Sequence, residues 1–250
     1  MTIHPHLVAP LTQKNALKVI SGLNNFDCER VTAVVKAAEA GGATFVDIAA
    51  QASLVENIRS ITNLPICVSA VKPELFVDAV NAGADLIEIG NFDSFYSQGI
   101  RFEAEEVLEL TVKTRSLLPE IALSVTVPHI LALDEQVNLA EKLVEAGADI
   151  IQTEGGTSIQ PLNPGVRGLI EKAAPTLAAA HSISRAIDLP VLCASGLSSV
   201  TVPMAIASGA SGVGVGSAIN QLDNEVAMVA VVRSLVEALN SYQPSLSNYQ

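Results

Sequence analysis

The stretch LPVLCASGLSSVTVPMAIASGASGVGVGSAIN, residues 189–220, decides the fold. Its VLCA segment at 191–194 is a short apolar run between Pro190 and Ser195-Gly196, which reads as a strand delivered into a tight turn. A helix follows over 203–207 and stops at Ser208-Gly209, where glycine relieves a left-handed cap. Gly212-Val213-Gly214-Val215-Gly216 then alternates valine with glycine, as in a strand with bulk on one face and almost none on the other. Gly216-Ser217 opens another helix. Two such turns side by side aim backbone N–H groups and helix N-termini at one point, and that point attracts an anion. In a parallel (β/α)8 barrel, phosphate commonly sits on the loops after the last two strands. Ser195, Gly196, Leu197, Gly214, Gly216 and Ser217 are therefore the candidate phosphate-binding residues. The plainer use of these glycines is tight strand–helix packing.

Working outward, one plan recurs. AGGATFVDIA (40–49), NAGADLIEIG (81–90), EAGADIIQTEG (145–155) and ASGASGVGVGS (207–217) each end a helix at a small residue and Gly, add Ala, and start a strand. LPICVSA (64–70), LPEIALSVTV (118–127) and LPVLCASG (189–196) form a second class of strand, introduced by Leu-Pro. With a first strand at 17–21 there are eight strands of two alternating kinds, which implies duplication of a smaller element. The predicted fold class is α/β, a single (β/α)8 TIM barrel over residues 1–240 with a polar tail at 241–250. A length of 250 residues suits it. An open doubly wound sheet is the alternative, but its glycine fingerprint follows the first strand, not the last two. Local signals add a short helix at 7–14 under the barrel and Asp27 as a helix N-cap. Ser53 and Glu56 have capping-box spacing, Pro73 and Gly83 bracket a helix, and 103–118 is a long amphipathic helix. The aperiodic segment 157–168 reads as a lid or a surface excursion.

Only 16% of residues are charged, below the usual quarter, so much of the chain is covered on both faces, as in a parallel sheet wrapped by helices. A net charge of −12 argues against nucleic acid and against an anionic membrane as partners. Cys28, Cys67 and Cys193 have neither disulfide-framework nor zinc spacing, and no metal site is expected. Without a membrane-length apolar run or signal-peptide pattern, the expectation is a soluble intracellular protein.

Polar residues inside apolar strands mark the inner face of the barrel near its mouth. Lys18 lies in the first strand, Asp47 in the second and Glu88 in the fourth, with Gln152 and Gly214 at the equivalent places in the sixth and eighth. The odd strands offer Ser69, Ser124 and Cys193, followed by Lys72, Thr126 and Ser195. A lysine and two carboxylates in one barrel mouth pair with each other, because buried unpaired charge is costly. As chemistry, Lys18 with a lowered pKa would form a Schiff base or serve as an acid, and Asp47 or Glu88 would be the general base beside a carbonyl. These three are the candidate catalytic residues, and the plain reading is a structural ion-pair plug. Gly214 would leave room for substrate. Ser69, Lys72, Ser124, Gln152, Glu154, Gly155, Gly156 and Thr157 are the candidate substrate-binding residues, the last four with Ser158 forming a donor-rich loop after the sixth strand. Cys193 reads as a small apolar residue before a nucleophile, and His129 is within reach of the mouth. Phe92, Phe95, Tyr96 and Ile100 form an apolar cluster, read as a lid or a contact in a homo-oligomer.

QTEGGT (152–157), PTLAAAHSIS (175–184), CASGLSSVTVPMAIASGASGVGVGSAIN (193–220), SVTVPHI (124–130) and LKVISGLNNFD (17–27) carry a resemblance over nearly the whole chain. The chain resembles the hypothetical chloroplast reading-frame twenty-three family of red-algal plastids and cyanobacteria. The resemblance implies a phosphate-binding TIM barrel working in the plastid stroma or cytoplasm, and supplies no catalytic residue. A wider likeness at the last two strands links it to thiazole-synthase-like and FMN-dependent barrels. Three functions remain in play. The first is a lyase, aldolase or isomerase acting on a small phosphorylated metabolite. The second is an oxidoreductase holding FMN on the same two turns, against which stands an aromatic content of 4% with no Trp. The third is a non-catalytic sensor or partner-binding barrel.

Overall fold

Four helix ends explain how the chain turns repeatedly into strands. Gly42, Gly83, Gly147 and Gly209 have φ of 88°, 110°, 93° and 109°, a conformation that costs glycine little. The alanine after each donates its N–H back into the helix it has left: Ala43 to Ala38 O, Ala84 to Ala79 O, Ala148 to Leu143 O and Ala210 to Ala205 O, at 2.9, 3.1, 2.9 and 3.2 Å. That is the closing bond of a Schellman motif, made four times at the point where the sequence repeats. All four alanines are buried, so each exit is also a packing point.

The computed structural model describes residues 3–155 and 160–241. Eight parallel strands close in sequence order: β1 Ala16–Ile20, β2 Phe45–Ala49, β3 Ile66–Ala70, β4 Leu86–Ile89, β5 Ala122–Thr126, β6 Ile150–Gln152, β7 Val191–Ala194 and β8 Gly212–Val215, with β8 paired to β1. Helix α1 (Pro5–Thr12) precedes them; α2 (Cys28–Gly41), α3 (Ala52–Arg59) and α4 (Glu74–Asn81) alternate with the first four strands. After β4 come α5 (Asp93–Tyr96) and α6 (Ala104–Leu117), then α7 (Leu133–Glu145), α8 (Gly165–Ala186) and α9 (Val202–Ala207). The short α10 (Ser217–Asn220) and the long α11 (Glu225–Ser241) follow β8. The expected (β/α)8 barrel is the fold.

Outward side chains such as Val46, Ile48, Val68, Ile87, Leu123 and Val213 join one large core with the helices. The inner face divides along its length. At the bottom, Ala16, Phe45, Cys67, Leu86, Ala122, Ile150 and Leu192 form an apolar plug closed by Leu7 and Leu11 of α1. Two arginine staples tie this end. Arg115 donates to Gly147 O at 3.0 and 2.7 Å and to Asp149 Oδ2 at 2.8 Å, while the same oxygen accepts Leu123 N–H at 2.9 Å. Arg59 makes the matching set with Gly83 O and Asp85, whose Oδ2 accepts Ile66 N–H at 2.8 Å. The duplication read in the sequence thus extends to its fastenings.

Several expectations need correction. Helix α3 starts at Ala52 with Gln51 as its cap and no side-chain cap bond, so Ser53 and Glu56 form no capping box. The segment after β6 becomes helical at Gly165, inside the loop expected to run to 168, and 156–159 lie outside the described residues. Ser241 closes α11, and the rest of the expected tail lies outside the described residues. Cys193 points out to the helix layer against Thr176 instead of into the barrel, because its inward neighbours are Leu192 and Ala194. Burial pushes its thiol up to about 11, which keeps it inert. Phe92 is fully buried, with Phe102 stacked 4.5 Å away between ring centres, so only Ile100 of the expected apolar cluster is widely exposed.

Gly42 isolates the cost of the cap, since a Cβ there would meet only Val236 Cγ2, at 4.0 Å. Gly42→Ala should lower stability by about 1–2 kcal/mol through backbone strain alone, read from the midpoint of chemical denaturation.

Candidate functional site

Above the apolar plug the inner face becomes polar. Lys18, Asp47 and Glu88 are brought together there, each with no exposed surface. Lys18 Nζ lies 2.6 Å from Glu88 Oε2, 2.9 Å from Gln152 Oε1 and 3.5 Å from Asp47 Oδ2. Ser124 Oγ donates to Glu88 Oε2 at 2.7 Å, and Gln152 Nε2 donates to Glu88 Oε1 at 2.8 Å and to Thr126 Oγ1 at 3.2 Å. Ser69 Oγ donates to Asp47 Oδ1 at 2.5 Å. Asn91 reaches down with Nδ2 3.2 Å from both Asp47 Oδ2 and Ser69 Oγ. The two charge signs and the amides satisfy one another, which a buried ion cluster needs if it is to persist.

This environment corrects the expected state of Lys18. Burial alone would lower its pKa, but the Asp47 and Glu88 carboxylates outweigh burial and hold it above the ordinary lysine range. A Schiff-base lysine must be neutral, so the geometry favours a fixed ammonium over an imine nucleophile. Burial raises the Glu88 carboxyl, with Lys18 pulling against it. The expected vacancy at Gly214 is also filled: a Cβ there would lie 2.9 Å from Ala194 Cβ, 3.0 Å from Ile20 Cδ1 and 3.3 Å from Gln152 Oε1.

A cleft of about 330 Å³ opens above Gln152, at the C-terminal end of the strands. Ser195, Gly196, Leu197, Gly214, Gly216 and Ser217 line it, as do Gln152 and Glu154. Ser195 and Gly196 are successive left-handed residues, with φ of 76° and 75°. The N–H groups of Gly196, Leu197, Ser217 and Ala218 meet no acceptor among the described residues. Asn91, with φ 62°, lines the opposite wall, so two of the three non-glycine residues with positive φ face this one cleft. Strain held at such a place marks a functional region. Lys72 is exposed beside a separate hollow of about 230 Å³ and does not join the cleft, while Ser69 and Ser124 serve the Lys18 network. Gly155 packs on Pro175 and His129, and Gly156, Thr157 and Ser158 lie outside the described residues.

A second cluster flanks the cleft, joining Glu154 and His129, which the sequence offered separately, and Tyr96, read there as apolar surface, with Asp93, which carries no sequence signal. Glu154 Oε1 accepts from Tyr96 OH at 2.5 Å and from the His129 N–H at 3.2 Å, and His129 Nδ1 lies 3.2 Å away. Asp93 N–H donates to Glu154 Oε2 at 3.2 Å, and Ser195 Oγ donates to Asp93 Oδ2 at 2.7 Å. Burial raises the Glu154 carboxyl despite the bond from His129. Burial opposes a charge on His129, yet the Glu154 bond and the Glu154 and Asp93 charges raise its pKa overall. Tyr96 is pushed up by burial and by Glu154. No aromatic side chain, lysine or arginine among the described residues lines the cleft, and the FMN reading gains no support from that lining.

The fold defines a (β/α)8 barrel with its cleft at the strand ends, and the solved structures it resembles are barrels of this kind. Thiamine phosphate pyrophosphorylase from Pyrococcus furiosus matches with TM-score 0.61 and 16% identity, over 92% of this chain and 98% of that one. (S)-3-O-geranylgeranylglyceryl phosphate synthase from Thermoplasma acidophilum, in complex with sn-glycerol-1-phosphate, matches with TM-score 0.62 and 14% identity over 97% and 100%. 3-Hexulose-6-phosphate synthase matches with TM-score 0.62 and 15% identity over 89% and 99%. The chain belongs to the family described as "Protein of unknown function (DUF561)", matched over residues 3–245. Its relatives include "Uncharacterized protein ycf23" of Cyanophora paradoxa, 46% identical over 92% of this chain and 95% of the relative. The protein of the same name from Pyropia yezoensis is 41% identical over 96% and 88%. The family resemblance read from the sequence is thereby established. Among the described residues, no helix is long and apolar enough to cross a membrane.

Lys18→Met should destabilise the fold by about 3–5 kcal/mol near neutral pH, because it strands two buried carboxylates. Burial already raises the Glu88 carboxyl, so without Lys18 it would titrate at higher pH folded than unfolded, and the deficit should shrink as pH falls and it takes up a proton. Thermal unfolding of both proteins from pH 5 to pH 8 checks this; a pH-independent gap would contradict it.

Proposed function

We propose that the protein is an enzyme acting on a small phosphorylated metabolite, by lyase, aldolase or isomerase chemistry, with the phosphate seated between the turns after β7 and β8. The observation that carries this reading is the composition of the cleft. On one side are backbone N–H groups with no acceptor, at Gly196, Leu197, Ser217 and Ala218. Beneath lies a buried lysine–carboxylate network that touches the cleft through Gln152 and Asn91. Backbone donors suit phosphate because they converge on its oxygens without having to be desolvated as free charges.

In this reading the mutually compensating Lys18, Asp47 and Glu88 form a rigid polar floor, and Gln152, whose amide spans Lys18 and Glu88, is held by it at the base of the cleft. Three fold neighbours with phosphorylated compounds in their names support the class of ligand. A place of work in the plastid stroma or cytoplasm belongs to the same reading, supported by family membership.

The test is direct binding. Inorganic phosphate and glycerol phosphate, titrated calorimetrically, should bind at one site per chain. Ser217→Asp, which sets a carboxylate on the exposed first turn of α10, should weaken both at least tenfold through repulsion. Equal affinity in the variant and the parent protein would contradict the proposed seat.

A further inference from the structure

Asp93, His129 and Glu154 come from three separate segments, following β4, β5 and within the strand-end loop of β6, yet their ligand-type atoms all lie within 4.8 Å of one another. His129 Nδ1 is 3.3 Å from Asp93 Oδ1 and 3.2 Å from Glu154 Oε1. First-row divalent ions hold such atoms at about 2.0–2.2 Å, which sets neighbouring ligands roughly 3–3.4 Å apart. Both separations from His129 already match, and the two carboxylates lie within 4.8 Å of each other.

A second observation is independent of that spacing. Asp93 Oδ1 is buried and accepts no hydrogen bond, whereas the other oxygen of the same carboxylate is taken by Ser195. The contact of Oδ1 with the His129 ring at 3.3 Å is an ion pair only while the imidazole is protonated. A buried carboxylate oxygen without a donor costs free energy unless a cation meets it. The remaining bonds orient the group: Tyr96 OH and the backbone N–H groups of Asp93 and His129 fix the Glu154 carboxylate. Outer partners of this kind hold metal ligands in place. The charge balance points the same way, since the cleft wall carries Asp93 and Glu154 and no lysine or arginine among the described residues.

We propose that Asp93, His129 and Glu154 bind a first-row divalent cation such as Mn²⁺, Co²⁺ or Zn²⁺ at the barrel mouth, with Ser195 and Tyr96 as positioning residues. One imidazole and two carboxylates suit these ions, and substrate or water completes the coordination. The cation site stands apart from the proposed phosphate chemistry, although a cation there would offset the two carboxylates beside an incoming anion.

The experiment uses the full chain stripped with a chelator and then titrated with Mn²⁺ by electron paramagnetic resonance and with Zn²⁺ by calorimetry. One ion should bind per chain. Asp93→Asn and His129→Gln, each confirmed as folded by circular dichroism, should weaken it at least tenfold, and Tyr96→Phe should weaken it less. Bound Co²⁺ should lose its imidazole-dependent visible bands in the His129→Gln protein. No stoichiometric ion in the parent protein overturns the proposal, whatever the variants do, and so does undiminished binding in both ligand variants. Repeating the phosphate titration with and without Mn²⁺ separates the two readings. Metal bound without phosphate sinks the phosphate seat and leaves the cation site, and phosphate bound without metal does the reverse.

Discussion

A single buried ammonium governs the upper half of the barrel. Lys18 has no exposed surface, so its charge has to be met inside the protein. Glu88 meets it at 2.6 Å, Asp47 stands at 3.5 Å, and Gln152 gives its carbonyl at 2.9 Å. Each partner then needs partners of its own, and Ser69, Ser124, Thr126 and Asn91 supply them. One charge thus dictates polar residues on β2, β3, β4, β5 and β6. Below this level the same inner face returns to Phe45, Leu86 and Ile150, because nothing polar is left to satisfy. Even the glycine of β8 answers to the network: the space beside Gly214 is where Gln152 Oε1, Ala194 and Ile20 sit.

The mouth is asymmetric for a related reason. On the β7–β8 side the chain presents backbone N–H groups, and small residues let a ligand approach them. On the β4–β6 side it presents carboxylates, an imidazole and a phenol held together by hydrogen bonds and ion-pair contacts. Ser195 joins the halves, with its backbone in the left-handed turn and its hydroxyl on Asp93. A ligand in the cleft would touch donors at one end and proton- or cation-binding groups at the other. That polarity is what the proposed enzymatic use of the cleft rests on.

How much of this was legible follows from the range of each interaction. Strand order and the even-numbered repeat were readable because glycine, alanine and an apolar run act within a few residues, and the four Schellman exits fall where that pattern predicts. The meeting of Lys18, Asp47 and Glu88 was readable because a polar residue in an apolar strand has one place to go in a closed barrel. The state of that lysine was not, since it depends on distances across the barrel and not on neighbours in the chain. Tyr96 reads as part of an apolar cluster because its bond to Glu154 spans the barrel mouth, and Asp93 and Asn91 carry no signal in the chain around them. Arg59 and Arg115 carry no signal in the sequence, because a staple to the next strand leaves no periodicity. Ser53 had a capping sequence and no capping role, as Gln51 ends the strand-exit turn first.

The most direct measurement of the central claim is the titration of the Lys18 side chain, followed by the carbon and nitrogen NMR shifts of lysine-labelled protein. With its folded pKa raised, Lys18 lends stability that persists below the ordinary lysine value and is lost only as pH climbs through the raised one. Its signals should stay those of a charged ammonium to about pH 11, past the point where exposed lysines have begun to titrate. A Lys18 resonance that titrates below the ordinary lysine range would contradict a fixed cation, and would return the residue to the role of a nucleophile.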